Sequence, residues 1–263
     1  MIWLCIAPER QEKTERIMRA LAAGIPDAKV ITGEPPDDGQ PFAVWGHVFP
    51  AHKIVPAALK SGRPFWYVDN GFIQPAKGRS DGYYRLSYRG FDPVLLEGPP
   101  EPRRLARNAV MRPWRGTGRD VVIAYPGATY GALAGLSMPE WIAGIRGRVE
   151  AVTKRPIIIR QKPPIGTVGK PIESVLANAW ALVTHSSNVA VDAVMLGVPV
   201  FVEPSNPAAP VGNLDLADIE RPRRPERERW FASLLAQQYS LDEMRSGFAW
   251  RMMQMIRRQV DGV

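Results

Sequence analysis

Apolar residues arrive in short runs of strand length, separated by stretches in which they recur at helical spacing. Residues 2–7 read as a buried strand, and residues 12–22 as a helix whose apolar side is Ile17, Met18 and Leu21. Residues 29–31, 42–45 and 65–68 repeat the strand pattern, with a helix over 52–61 that Pro56 is expected to interrupt. After a less periodic middle, residues 120–124 and 156–159 are again strands. They flank a helix over 138–153 with Pro139 near its start. A short helix over 172–178 follows, and residues 241–260 form a last, basic, amphipathic helix. Strands alternating with helices predict parallel α/β sheets.

Residues 180–203 make the most informative segment. A strand runs into the polar turn Thr184-His185-Ser186-Ser187-Asn188, and a helix follows with Val191, Val194 and Met195 on its core side. Gly197 ends that helix, Pro199 follows, and a second strand runs to Glu203. A turn at the junction of a parallel strand and a helix presents free backbone N–H groups, so an anion such as phosphate is the expected occupant. The alternative is that Ser187 or Asn188 simply caps the helix.

Two half-chains of this kind suggest two lobes: residues 1–100, an Arg/Pro-rich linker at 101–118, a second lobe at 119–240, and a C-terminal helix at 241–263. Composition adds a partner question. The net charge is +8 and the pI about 9.8, with arginine concentrated at 103–119 and 221–229. Nucleic acid is the obvious polyanion, and a solvated arginine-rich surface is the plain alternative. The one cysteine, Cys5, excludes an internal disulfide, fits a reducing cytoplasmic setting, and reads as a buried core thiol. Residues 1–7 are too short to span a bilayer and lack a basic leader, so no signal peptide or stable membrane insertion is expected. Three histidines and one cysteine give no standard metal-ligand cluster.

The run Arg155-Pro-Ile-Ile-Ile-Arg-Gln-Lys-Pro163, the 184–188 turn and Asp192-Ala-Val-Met-Leu-Gly-Val-Pro-Val200 resemble the nucleotide-sugar lobe of GT-B glycosyltransferases. Tyr67-Val-Asp-Asn-Gly-Phe72 followed by Tyr83-Tyr-Arg-Leu-Ser87 is similar to small phage and prophage members of that group, and more distantly to bacterial capsule transferases. The resemblance implies a GT-B-like α/β fold, with two Rossmann-like lobes facing a central cleft and the C-terminal helix packing back on the N-lobe. It implies a UDP-sugar as donor substrate and no required cofactor, with a divalent metal as the alternative although no site for one is evident.

In such a fold Arg160 and Lys162 would neutralise the departing diphosphate, with His185, Ser186, Ser187 and Asn188 adding donors. Glu203 would hold the ribose hydroxyls, and Tyr125 would touch donor or acceptor. Sugar transfer also needs a group to take the acceptor's proton, and Asp69 is the first choice, His47 the second. The plain alternative for Asp69 is an Asp-Asn-Gly turn bonding its own backbone. Asn70 and the block Tyr83, Tyr84, Arg85, Tyr88 and Arg89 read as a DNA-contacting surface, aromatic faces for bases and guanidiniums for phosphates. A strand with buried tyrosines is the competing expectation. The resulting expectation is transfer of glucose to 5-hydroxymethylcytosine, or another hydroxymethylpyrimidine, in DNA, within the host cytoplasm if the source is viral. A surface-polysaccharide transferase, an epimerase, and a non-catalytic nucleotide- or DNA-binding protein are the alternatives.

Overall fold

The computed structural model describes residues 1–75, 82–91, 93–97, 109–125, 137–161 and 169–262, with the backbone alone at Met138. The chain divides into two compact units, residues 1–108 with 228–263, and residues 109–227.

In the first unit, β1 (Ile2–Ile6), β2 (Ala28–Thr32), β3 (Phe42–Trp45), β4 (Phe65–Asn70) and β5 (Tyr84–Tyr88) are joined by a two-residue strand β10 (Gln238–Tyr239). The sheet order is β10-β5-β4-β3-β1-β2, parallel from β4 to β2, with β5 and β10 antiparallel at one end. Strand alternation sorts its side chains into two cores. Leu4, Trp45, Trp66, Val68 and Leu86 pack on one face with Ile17, Met18 and Leu21 of α1 (Gln11–Ala23). Cys5, Phe42, Val44, Phe65 and Tyr67 pack on the other with Val55 and Ala58 of α2 (Ala51–Ser61). Pro56 does not interrupt α2. Its missing N–H removes one bond of the ladder, and the buried Ala51, Val55 and Ala58 hold the helix through it.

Burial pushes the Cys5 thiol up to about 12, too high for a thiolate at neutral pH. Native protein is therefore expected to ignore a thiol reagent at pH 8 and to react at this residue only after denaturation; fast labelling of the native state would contradict its core position.

The second unit carries a four-stranded sheet, all parallel, of β6 (Asp120–Ala124), β7 (Ile157–Arg160), β8 (Ala179–Thr184) and β9 (Val200–Val202), in the order β7-β6-β8-β9. One face buries Val121, Ile123, Ala181, Val183 and Phe201 against Ile145 and Val149 of α3 (Met138–Val152). A short α4 (Ile172–Val175) precedes β8, and α5 (Val189–Met195) links β8 to β9, with Val191 and Val194 buried.

Three segments differ from the sequence expectation. Residues 109–118 are built into the second unit rather than linking two lobes: Arg112 N and Arg115 N donate to Met195 O and Gly197 O, and Trp114 Nε1 donates to Pro225 O. The part of the linker at 101–108 lies outside the described residues. Residues 228–240 belong to the first unit, where α6 (Glu228–Ala236) leads into β10. The final helix is two helices, α7 (Leu241–Arg245) and α8 (Phe248–Asp261), broken at Gly247 in the left-handed region (φ +74°). The left-handed backbone at the break calls for glycine, and the Cβ of a larger residue at Gly247 would also stand a tight 3.1 Å from Gly24 O at the end of α1. The apolar side of α8, Ala249, Met252, Met253 and Ile256, is buried in the first unit's core, so it is not available to enter a membrane. No described helix is long and apolar enough to cross one.

Candidate functional site

In the second unit the chain runs from β6 outward to β7, then returns past β6 to β8. The order of strands therefore reverses between β6 and β8, and open α/β sheets bind ligands at the carboxyl end of such a switch. Tyr125 follows β6 there, and His185, Ser186, Ser187 and Asn188 follow β8. Arg160 closes β7 on one flank and Glu203 follows β9 on the other. With strands about 4.8 Å apart, Arg160 and Glu203 bracket roughly 14 Å of one edge. Lys162 lies outside the described residues.

The turn after β8 is held from below by a residue the sequence reading passed over. Asn206 is almost fully buried, and its Nδ2 donates to His185 O (3.0 Å) and Ser187 O (3.5 Å), while its Oδ1 accepts from Ala208 N. It sits in the 204–225 segment, which carries no period to reveal it. Asn206→Ala is expected to cost about 1–3 kcal/mol by leaving those carbonyls unmatched, and to speed amide exchange at residues 186–189; unchanged exchange would remove Asn206 from this role.

The hydroxyls of Thr184 and Ser186 are buried and make no hydrogen bond among the described residues. Buried hydroxyls are ordinarily satisfied, so two orphans side by side at a switch point mark a place where a polar ligand would complete the bonding. Thr184 also lines an open surface depression with Trp141, Arg148, Glu203 and Leu214. Trp141 stands edge-on to His185 at 6.3 Å between ring centroids. The helix after the turn has only seven residues, so side chains and turn amides, more than a long helix dipole, give the site its polarity.

Burial holds the His185 imidazole below its ordinary value of 6.5, against a smaller opposing pull from Glu203. The unfolded chain therefore binds this proton first as pH falls. The stability tied to neutral His185 is present above pH 6.5 and is lost as pH drops through the folded value. We predict that His185→Gln flattens that part of the acid limb in urea midpoints measured across pH; an identical limb in both proteins would show the titration lies elsewhere.

In the first unit, both candidate proton acceptors lie at the carboxyl edge of adjacent strands on the α2 side of the sheet. Tyr67 Oη is 3.1 Å from Nδ1 and 3.0 Å from Nε2 of His47. The Arg85 guanidinium lies 5.7 Å from the Tyr67 ring and reaches Asp69 Oδ2 at 3.3 Å. Asp69 Oδ1 accepts from Asn70 N and Asn70 Nδ2, so the turn-like self-bonding expected as the plain alternative is present as well.

The tyrosine–arginine block does not form a nucleic-acid surface. Tyr84, Arg85 and Tyr88 lie in β5 and are 1%, 6% and 3% exposed, leaving no ring face for a base. Tyr88 Oη donates to Asp261 Oδ2, and the exposed Arg89 also pairs with Asp261. Tyr83 is half-buried, and Asn70 accepts from Lys13. Several of the excess arginines also have internal work. Arg227 donates to Val194 O and Arg112 O, Arg115 to Leu176 O and Ala177 O, and Arg229 to Leu96 O. Of these only Arg227 is buried; Arg115 is half-buried, and Arg229, like Arg112, Arg221, Arg223 and Arg224, is exposed, so these backbone bonds occupy some of the excess arginines while much of the basic surface remains.

Among the described residues no three His, Cys, Asp or Glu side chains are grouped so as to hold a metal ion. No protein-family model and no curated protein sequence matches the chain. Among solved structures, it is similar to Thermosulfurimonas dismutans KpsC, beta Kdo 2,4 transferase, at 13% identity and TM-score 0.52, over 88% of this chain and 89% of that one. A second structure, Thermosulfurimonas dismutans KpsC, beta Kdo 2,7 transferase, aligns over 95% and 99% at 13% identity and TM-score 0.49, and adds no weight. At such identity the likeness shows the fold alone: this chain shares an α/β fold with a glycosyltransferase.

Proposed function

We infer that the protein is a glycosyltransferase whose second unit binds a nucleotide-activated sugar. The observation that carries this is the pair of orphan hydroxyls, Thr184 and Ser186, at the switch point of an all-parallel sheet, beside a depression that Glu203 and Trp141 line. A nucleotide sugar supplies what that edge lacks: phosphate oxygens for the turn, and ribose hydroxyls for a carboxylate such as Glu203. In transfer, an acceptor hydroxyl oxygen bonds the anomeric carbon as the bond from that carbon to the donor phosphate breaks. The electron pair leaves with the nucleotide, whose charge Arg160 and Lys162 neutralise, and the hydroxyl proton passes to a base. His47 takes that proton in this account. Asp69, whose two oxygens already accept from Asn70 and Arg85, keeps the site's geometry.

The acceptor we favour is a saccharide, as in the surface-polysaccharide alternative. Support comes from the structural neighbour, itself described as a Kdo transferase, and from burial of the tyrosines that a DNA acceptor would need. Titration calorimetry with UDP, CMP, GDP and their sugars tests the donor site. One nucleotide series should bind, and Ser186→Ala should weaken it about tenfold, the loss of one hydrogen bond to a charged group. If no nucleotide binds the intact protein, the reading is wrong.

A further inference from the structure

The first unit has its own switch point, between β1 and β3, and a group of cations stands beside it that the proposed chemistry has not used. After β1 the chain makes a single 3-10 turn, Pro8–Arg10, and enters α1. Arg10, Lys13 and Arg16 recur every three residues and form one stripe along the start of that helix. Glu9 and Glu12, one residue earlier, are turned about 100° away. Lys13 is the inner member. Its Nζ lies 4.2 Å from the centroid of the Trp45 ring, at the end of β3, and donates to Asn70 Oδ1 (3.3 Å), at the end of β4. Burial lowers the proton affinity of Lys13, and Arg10 and Arg16 lie near enough to lower it further, with Asp69 alone opposing.

Three cations facing one carboxylate at a ligand-binding edge is an unbalanced arrangement. Arg10 and Arg16 are exposed and long enough to swing inward, whereas Lys13 is held by the indole and the amide. A fixed ammonium with two adaptable guanidiniums suits a single anionic group presented by a larger molecule. Asn70, beside the ammonium and half-buried, offers an amide of the kind that bonds a sugar hydroxyl.

We propose that the carboxyl edge of the first sheet, through Lys13, Arg10 and Arg16, binds an anionic group on the acceptor, which makes the acceptor an acidic saccharide. This rests on the glycosyltransferase reading, and specifies its acceptor. The anion is a carboxylate of an acidic sugar or a phosphate ester on a sugar, and Asp69 nearby favours the singly charged carboxylate.

The test is binding to the full-length protein, by calorimetry at low salt, of tri-galacturonic acid, its fully methyl-esterified and therefore neutral form, and mannose 6-phosphate. The trimer should bind at least about tenfold more tightly than its ester. Lys13→Met, which keeps the apolar stem over Trp45, should remove that preference, and so should Arg10→Gln with Arg16→Gln, two surface changes that leave the core untouched. Nucleotide binding should be unaltered in both variants. Preference for mannose 6-phosphate over the trimer would keep the anion site and identify its ligand as a phosphate ester. Equal binding of trimer and ester, or a preference that survives both variants, overturns the proposal. Acid-selective binding in a protein that binds no nucleotide would instead retain this site and discard the transferase.

Discussion

Replacing Arg160 and Lys162 together by alanine is expected to lower kcat/KM for sugar transfer by at least about a thousandfold, with little change in melting temperature. Arg160 ends β7, the edge strand of the second sheet, so its side chain is not part of the core. Its backbone stands at the same edge as the turn after β8, two strand spacings away, or roughly 10 Å. A fixed cation aimed at the charge that builds on a leaving phosphate is commonly worth a hundredfold or more. Two cations on one group are not additive, which puts the pair nearer a thousandfold than the product of both. Arg146→Ala, which breaks only an exposed pair with Glu150 on α3, is the control and should transfer sugar normally. If the double variant keeps full activity, the diphosphate is held elsewhere and the donor site as drawn here is wrong.

Gly197→Ala should unfold the second unit under conditions where the parent is stable, with a cost above roughly 4 kcal/mol. Gly197 ends α5 at φ +78°, where a side chain costs about 1–2 kcal/mol. The larger effect is steric. An added Cβ would lie 2.0 Å from Pro113 O, a backbone atom fixed by neighbouring bonds from Arg112 N to Met195 O and Arg115 N to Gly197 O. Relief requires peeling the 109–115 segment from the end of α5, which takes away the support of β9 and of the ligand-binding turn. A cooperative urea transition at unchanged midpoint would contradict this packing. Gly62→Ala is the comparison: it has a similar positive φ but nothing within 4 Å, and should cost only the backbone strain.

These two variants sit at opposite ends of what could be read from the sequence. The strands 42–45 and 120–124 agree with the structure residue for residue, because runs bounded by Pro, Gly or charge define a buried parallel strand without reference to its partners. The turn 184–188 was legible for the same local reason. Its support was not: Asn206 acts from the next irregular segment, and the bond to His185 O has no sequence period. The tyrosine–arginine block went the other way. Alternating Tyr and Arg is equally compatible with an exposed platform and with a strand carrying a cation–π contact to Phe72 and an ion pair to Asp69, and burial decides between them. The break at Gly247 is likewise a tertiary decision, since hydrophobic spacing continues through it and the close approach of Gly24 does not show in the local pattern.

The central claim, a nucleotide-sugar-dependent transfer to a saccharide, is tested most directly by product mass. The purified protein would be incubated with a panel of nucleotide sugars and three acceptors: an acidic oligosaccharide, its neutral counterpart, and duplex DNA bearing 5-hydroxymethylcytosine. Mass spectrometry would then follow each acceptor. The expected result is a gain of one sugar residue on the acidic oligosaccharide, with stoichiometric release of nucleotide. A gain on the DNA alone would contradict the saccharide acceptor, and no gain on any acceptor, with the nucleotide sugars intact, would contradict transferase activity itself.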